Sequence, residues 1–364
     1  MPKDANEELV LFINDILEHV FVIQFVISIA GVCMNIPHLF ILLQKSMRTS
    51  STNSIMIGIA LCDLTVLSDN VFERVHHYWL KPIDDPCVNQ SPYWYEMALL
   101  IGDVLRTFCE RASFWLGVFL ALIRLLIMKV PGNPKILSKP LLGYILVLVL
   151  LPISLFHSLY YYSGYSIVPW SSPWTPGKDC SGFPSNYSEP QFIRSFIDNK
   201  NLFKIVGRYV FINGLSRILV SVLYPILAIS LFHEIRKSAK YALGALSKQN
   251  SKDRHRTGHM ILTMTVFYII ASAPAGASDF VQLFVEIPTN SILETLVGYG
   301  SIFLSALFCL NATSHGIINF LMATKYRDTV KGVLGLKKKR VEKSVFSVTR
   351  SMSHAQRVCL PGTN

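Results

Sequence analysis

The sequence predicts an all-α membrane protein: a bundle of seven transmembrane helices, N-terminus outside, with a short amphipathic helix after the seventh span. Three observations carry that expectation. The 364-residue chain is 51% hydrophobic and only 16% charged, against about 25% charged in an ordinary soluble domain. Its apolar residues gather in seven blocks, each near or above the roughly 20 residues that cross a bilayer as helix. Its basic residues collect on one set of connections between those blocks.

The first 18 residues are acidic, with Asp4, Glu7, Glu8, Asp15 and Glu18, and lack the basic start of a cleavable signal peptide. They are expected to form an extracellular N-terminus, leaving the first span to target the chain. Spans are expected at 20–43, 54–78, 93–128, 141–166, 202–235, 260–285 and 292–322, within a seven-span domain covering 19–335. The segment from Tyr326 to Leu336 fits a surface helix, and 336–364 reads as a basic, disordered cytoplasmic tail.

Orientation follows from Lys and Arg in the connections. The segments 44–53, 129–140, 236–259 and the tail after 322 hold 22 basic residues, whereas the N-terminus and the loops at 79–92, 166–201 and 286–291 hold 5. The net charge of +11 is therefore expected on the cytoplasmic face, as a lipid-facing feature and not a nucleic-acid stripe. Lys337, Lys338, Lys339 and Arg340 suit anionic lipid at roughly 1 kcal/mol each. Ser344, Ser347, Thr349, Ser351 and Ser353 fit either a phosphorylated tail that engages arrestin or a merely disordered one.

Of seven cysteines, only Cys87 and Cys180 fall in the exterior loops, where disulfides persist. They are either joined or both free. Glycosylation sequons start at Asn89, Asn186 and Asn311. Asn311 is inside a span and Pro92 follows the first sequon, so Asn186 is the expected acceptor.

Ionisable groups inside spans are costly and face the bundle interior or a water-filled cavity. On span three, Arg106, Glu110, Ser113 and Arg124 share one helical stripe, Arg106 lying five whole turns before Arg124. Arg124 itself fits two readings, an inward functional group or an arginine snorkelling to the headgroups. Span one adds Asn35, span two Asp63, and span seven Asn311, His315 and Asn319 at successive turns.

These residues resemble a rhodopsin-like G-protein-coupled receptor. The matching positions are Asn35, the Leu61-Cys62-Asp63 segment, Ala121 to Arg124, Pro225, Pro274 and the Lys325-Tyr326-Arg327 turn. Glu110-Arg111-Ala-Ser-Phe-Trp-Leu-Gly117, Asn311-Ala-Thr-Ser-His315 and Lys325-Tyr-Arg-Asp-Thr-Val330 are closer to the nematode serpentine receptors of class W, themselves similar to FMRFamide-type neuropeptide receptors. The chain departs from the wider pattern at several points. Ile123 and Leu125 flank Arg124 where an acidic residue and a tyrosine are usual. Ser272 replaces a tryptophan, and His315 to Asn319 stands where Asn-Pro-x-x-Tyr is usual.

The resemblance implies a receptor that binds an extracellular ligand and activates a heterotrimeric G protein, with no cofactor. It implies that Asn35, Asp63, Ser113, Asn311, His315 and Asn319 form a polar switch cluster, with a sodium ion possible at Asp63. Arg124 would couple to the G protein, and Pro225 and Pro274 would act as hinges. Ligand contacts are expected from Arg106, Glu110, Arg217, Asp279 and Gln282. Two arginines there suit a ligand with an anionic or strongly accepting group, such as a short neuropeptide; a small chemosensory molecule is the alternative. Arg106 also fits an internal pair with Glu110. Tyr160, Tyr161 and Tyr162 with Trp170 and Trp174 fit an interfacial aromatic belt or a ligand-stacking surface.

Two other classes were weighed. An ion-coupled transporter would use Asp63, Arg106, Glu110 and Arg111 as a relay, but such proteins show internal repeats and paired broken helices. A metal-dependent hydrolase would need histidines at ligand spacing, and the ten here are scattered.

Overall fold

The computed structural model describes residues 5–76, 85–129, 135–196, 202–242, 248–288 and 291–336. Helix α1 (Ala5–Leu42) leads to α2 (Ser51–Val75), α3 (Tyr93–Lys129), the single-turn α4 (Lys135–Ser138) and α5 (Pro140–Tyr162). An antiparallel hairpin of β1 (Tyr165–Pro169) and β2 (Phe192–Phe196) precedes α6 (Leu202–Ala242), α7 (Lys248–Phe284), α8 (Ile292–Met322) and α9 (Thr324–Val333). Among the described residues, α1, α2, α3, α5, α6, α7 and α8 each hold a stretch long and apolar enough to cross a membrane.

Local chemistry sets several of these ends. Ser50 and Ser291 cap α2 and α8, their hydroxyls accepting from the Asn53 and Glu294 amides at 3.3 and 3.1 Å. Pro140 starts α5, where its missing N–H costs nothing. Within the 1–18 segment, helix runs from Ala5 unbroken into the first span. No glycine or proline occurs between residues 5 and 30 to stop it. The tail beyond Leu336, with its basic run and its serines, lies outside the described residues.

The bundle is apolar on both its outer and inner surfaces. Phe156, Ile229 and Leu148 are 70–74% exposed on the outer faces of α5 and α6, as suits contact with lipid tails. Inside, Ile55, Leu116, Leu120, Leu231 and Ile261 pack toward the α9 end. Leu67, Phe114, Tyr224, Tyr268 and Phe308 pack toward the hairpin end.

The hairpin was expected as loop, because two five-residue strands are too short to show a hydropathy period. The hairpin and its loop are tied down from several directions. Cys87 and Cys180 are bonded, with Cα atoms 5.4 Å apart. The Phe192 amide donates to the Ser91 carbonyl at 2.8 Å. Tyr161 stacks on Tyr209 of α6 at 4.0 Å and bonds Tyr165 through its hydroxyl at 3.1 Å. Trp174 packs against Phe183 at 5.7 Å. Tyr161 and Trp174 thus hold elements together, and of the expected belt Trp170 keeps an exposed position, at 49%.

At the other end α9 is anchored by Tyr326, whose hydroxyl bonds His38 Nδ1 at 3.0 Å. Burial pushes this phenol up to about 12, so it stays neutral. Lys325 donates to Thr49 at 2.7 Å.

Candidate functional site

The polar stripe of α3 does face the bundle, but its members find different partners. Arg106 does not pair with Glu110. It donates to Glu73 of α2 at 3.0 Å and to Asp103 at 2.5 Å, with Asp69 at 3.6 Å. Arg194 of β2 reaches the same Asp103 at 2.5 Å and Glu96 at 3.3 Å. One carboxylate therefore links the hairpin, α3 and the arginine that holds α2. Its guanidinium is met by three carboxylates of the chain, while it also lines the outer cavity. The signal for this was the Asp69–Glu73 spacing of one helical turn, on a helix whose rotation the sequence did not fix.

Arg111, one residue past Glu110, turns toward α5 and α6. It donates to the Ser154 carbonyl and Ser158 hydroxyl at 3.3 Å each, to Tyr209 at 3.2 Å and to Asn213 at 2.9 Å. All four partners are neutral, and no carboxylate among the described residues lies within ion-pair distance of it.

Glu110, Arg217 and Asp279 meet at the centre. Arg217 of α6 stands 3.6 Å from Glu110 and 3.6 Å from Asp279 of α7. Hydrogen-bonded charge pairs close to about 2.7–2.9 Å, so both contacts are loose. Gly276 allows α6 and α7 to come this close: a Cβ there would stand 2.3 Å from Ser221 Oγ. Ser221 instead donates to the Ser272 carbonyl at 2.6 Å, joining the two helices.

Two cavities meet at Glu110 and Arg217, and Asp279 lines the outer one. The outer one, about 430 Å³ and open, is lined by Gln24, Glu73, Arg106 and Gln282 among others. The inner one, about 20 Å³ and more enclosed, lies between α3, α6 and α7, with Arg111, Trp115, Asn213 and Ser272 on its walls. Glu110, Arg217, Phe114 and Ala275 border both. Gln282 is exposed on the outer wall and donates to Ser278 at 3.3 Å.

Below the cavities, aromatic groups continue toward the α9 end. Tyr224 donates to the Phe114 carbonyl at 2.6 Å and stacks on Tyr268 at 5.0 Å. Tyr268 also meets Phe114 at 6.2 Å and His315 at 5.1 Å. Neither tyrosine was singled out from the sequence. Their signal is that Ser272, small where a tryptophan is usual, leaves room one turn away for Tyr268. Gly117 completes the fit, because a Cβ there would stand 2.3 Å from the Tyr224 hydroxyl and 2.7 Å from the Tyr268 ring. Gly117→Val is expected to cost about 2 kcal/mol by overpacking, measured by thermal unfolding of the purified chain in lipid nanodiscs. A variant as stable as the parent would show that the two tyrosines can yield.

Asp63 is fully buried and has two partners. Ser113 donates to Oδ1 at 2.9 Å, and His315 Nδ1 donates to Oδ2 at 2.7 Å. Asn35 donates to the carbonyls of Gly31 and Ala312 at 3.0 and 3.2 Å, pinning α1 to α8. Asn319 donates to the His315 carbonyl at 2.8 Å. Asn311 departs from expectation: neither of its side-chain polar atoms bonds Asp63 or any other protein group. Asn35 Oδ1 and His315 Nε2 are buried and unbonded as well, a state that ordered water satisfies. Among the described residues no group of three or more His, Cys, Asp or Glu side chains is placed to hold a metal ion.

Arg124 is partly buried, five residues before the end of α3, between the buried Ile123 and Leu125. Pro225 and Pro274 lie inside α6 and α7, where each removes one backbone hydrogen bond. Asn89 is buried and donates to Glu189 at 3.1 Å, whereas Asn186 is exposed.

The chain matches the family model described as serpentine type 7TM GPCR chemoreceptor Srw over residues 22–337. Comparison with curated proteins finds no match.

Proposed function

Because the chain belongs to the serpentine Srw family of seven-span G-protein-coupled chemoreceptors, we propose that it reports a small polar ligand to a heterotrimeric G protein. It is a multi-pass protein of the plasma membrane. The observation that carries the ligand site is the loose triad of Glu110, Arg217 and Asp279 on the wall of the outer cavity. The outer cavity, about 430 Å³, is of the size that holds small molecules, and the inner one, about 20 Å³, is a water-sized recess beside it. A short neuropeptide is the second reading, favoured by the openness of the outer cavity toward the hairpin end.

Signal transfer would run through packed groups with few soft points. A ligand against Phe114 presses on Tyr268, which touches the His315–Asp63 pair. Outward swing of α7 about Pro274 would then open the α9 end, where Arg124 meets the G protein. Arrestin engagement would follow through the tail. The test is ligand-evoked nucleotide exchange on a co-reconstituted G protein, screened with small polar molecules and short peptides. Response to neither class by any G protein would overturn the reading.

This proposal places the hairpin outside the cell. In glycosylating cells the chain is expected to carry one N-glycan, removed by glycosidase and by Asn186→Gln. Asn89→Gln is expected to leave the glycan in place, because Asn89 is engaged by Glu189. A chain without glycan would contradict the outside placement.

A further inference from the structure

Arg111 is met differently from Arg106 and Arg217. Those two stand against carboxylates. Arg111 donates to a backbone carbonyl, two hydroxyls and an amide oxygen, all neutral. A guanidinium inside a span keeps its desolvation cost when only dipoles face it. Its Nε is buried and bonds no protein group. Ser272 of α7, 3% exposed, is in the same condition, its hydroxyl buried and without a hydrogen-bond partner in the chain. Both side chains line the inner recess between α3, α6 and α7.

The recess sets the size and the sign of what it takes. At about 20 Å³ it has room for one particle of about the size of a water molecule. Its charged walls are Arg111, Arg217 and Glu110, one positive charge in excess. Glu110 faces Arg217 at 3.6 Å, and Asp279, the other partner of Arg217, lines the outer cavity and not the recess. Both carboxylates are therefore engaged with Arg217, and the excess charge sits at Arg111. A monatomic anion suits that space, because it accepts from several donors at once and has no body to place. Water suits the space too but cancels no charge.

We propose that the inner recess is a halide site, taking a chloride ion that accepts from Arg111 Nε and the Ser272 hydroxyl beside Arg217. This goes beyond the receptor reading and does not depend on it, since ion binding requires no G protein. Glu110, Arg217 and Phe114 border both cavities, so the ion would sit one side chain away from the proposed ligand site.

The test uses the full chain in phosphatidylcholine nanodiscs, with sodium chloride exchanged for sodium gluconate at constant ionic strength. An ion that binds the folded chain raises its unfolding temperature with concentration. Chloride and bromide are expected to do so and gluconate is not. The chloride NMR line is expected to be broader than with empty nanodiscs, and bromide is expected to compete that broadening away. In gluconate Ser272→Ala is expected to unfold with the parent, because its hydroxyl bonds nothing in the chain. It is expected to weaken chloride about tenfold, as loss of one hydrogen bond to a charged group implies. Arg111→Gln is expected to abolish the effect; if that variant does not fold, Ser272→Ala decides. Identical unfolding and linewidth in chloride and gluconate would mean that the recess holds water only, and would overturn the inference. Equal stabilisation by chloride and sulfate, the mark of a surface effect, would overturn it as well, as would a chloride effect that Ser272→Ala leaves unchanged. A chloride effect weakened by Ser272→Ala, in a chain that activates no G protein, would leave the inference standing and count against the receptor reading. Ligand-evoked exchange without any chloride effect would do the reverse.

Discussion

Replacing His315 with alanine is expected to lower stability by about 3 kcal/mol, and adding Asp63→Asn to that chain is expected to recover much of the loss. Asp63 is fully buried and accepts from Ser113 at 2.9 Å and from His315 at 2.7 Å. Alanine at 315 removes one of those donors and opens space beside a carboxylate that water reaches poorly. Breaking one half of a buried pair costs more than neutralising both, because the remaining charge keeps its desolvation penalty without its partner. Asparagine at 63 removes that charge and still accepts from Ser113. Unfolding of the two single variants and the double variant in lipid nanodiscs gives the coupling between the sites directly. Independent, additive losses would show that the His315–Asp63 contact contributes nothing specific.

Much of this architecture is legible in the sequence, and the reasons differ by residue. The spans show because hydrocarbon demands about 20 apolar residues in a row. The expected spans 93–128 and 292–322 fall within one residue of α3 and α8. Asp63, Ser113 and His315 share a depth and an inward phase, and they do touch. Glu110, Arg217 and Asp279 also converge. Arg106 was harder. Its partners Asp69 and Glu73 sit on a neighbouring helix, and the rotation of α2 against α3 is set by packing, which hydropathy does not encode. Gly102 marks where that packing is tight, as a Cβ there would stand 2.4 Å from Asp69 Oδ1. The hairpin stayed hidden because five-residue strands leave almost no periodic signal. Tyr224 and Tyr268 stayed hidden because a tyrosine inside an apolar run reads as one more large side chain. Their role appears only once Gly117 brings α3 against them.

Arg124 tests the account most directly. It lies near the α9 end of α3, flanked by the buried Ile123 and Leu125, and no acidic residue adjoins it in sequence. In the proposed mechanism it takes no part in ligand binding, since neither cavity includes it. It acts only when α7 swings about Pro274 and the α9 end opens to the G protein. A headgroup-seeking arginine would stabilise the span without affecting exchange. The measurement is nucleotide exchange by a heterotrimeric G protein reconstituted with parent or Arg124→Ala chain in nanodiscs, with binding of the activating ligand recorded on the same samples. The account predicts accelerated exchange by the parent, and loss of nearly all of it in Arg124→Ala with ligand binding unchanged. Exchange that Arg124→Ala accelerates as well as the parent would contradict it.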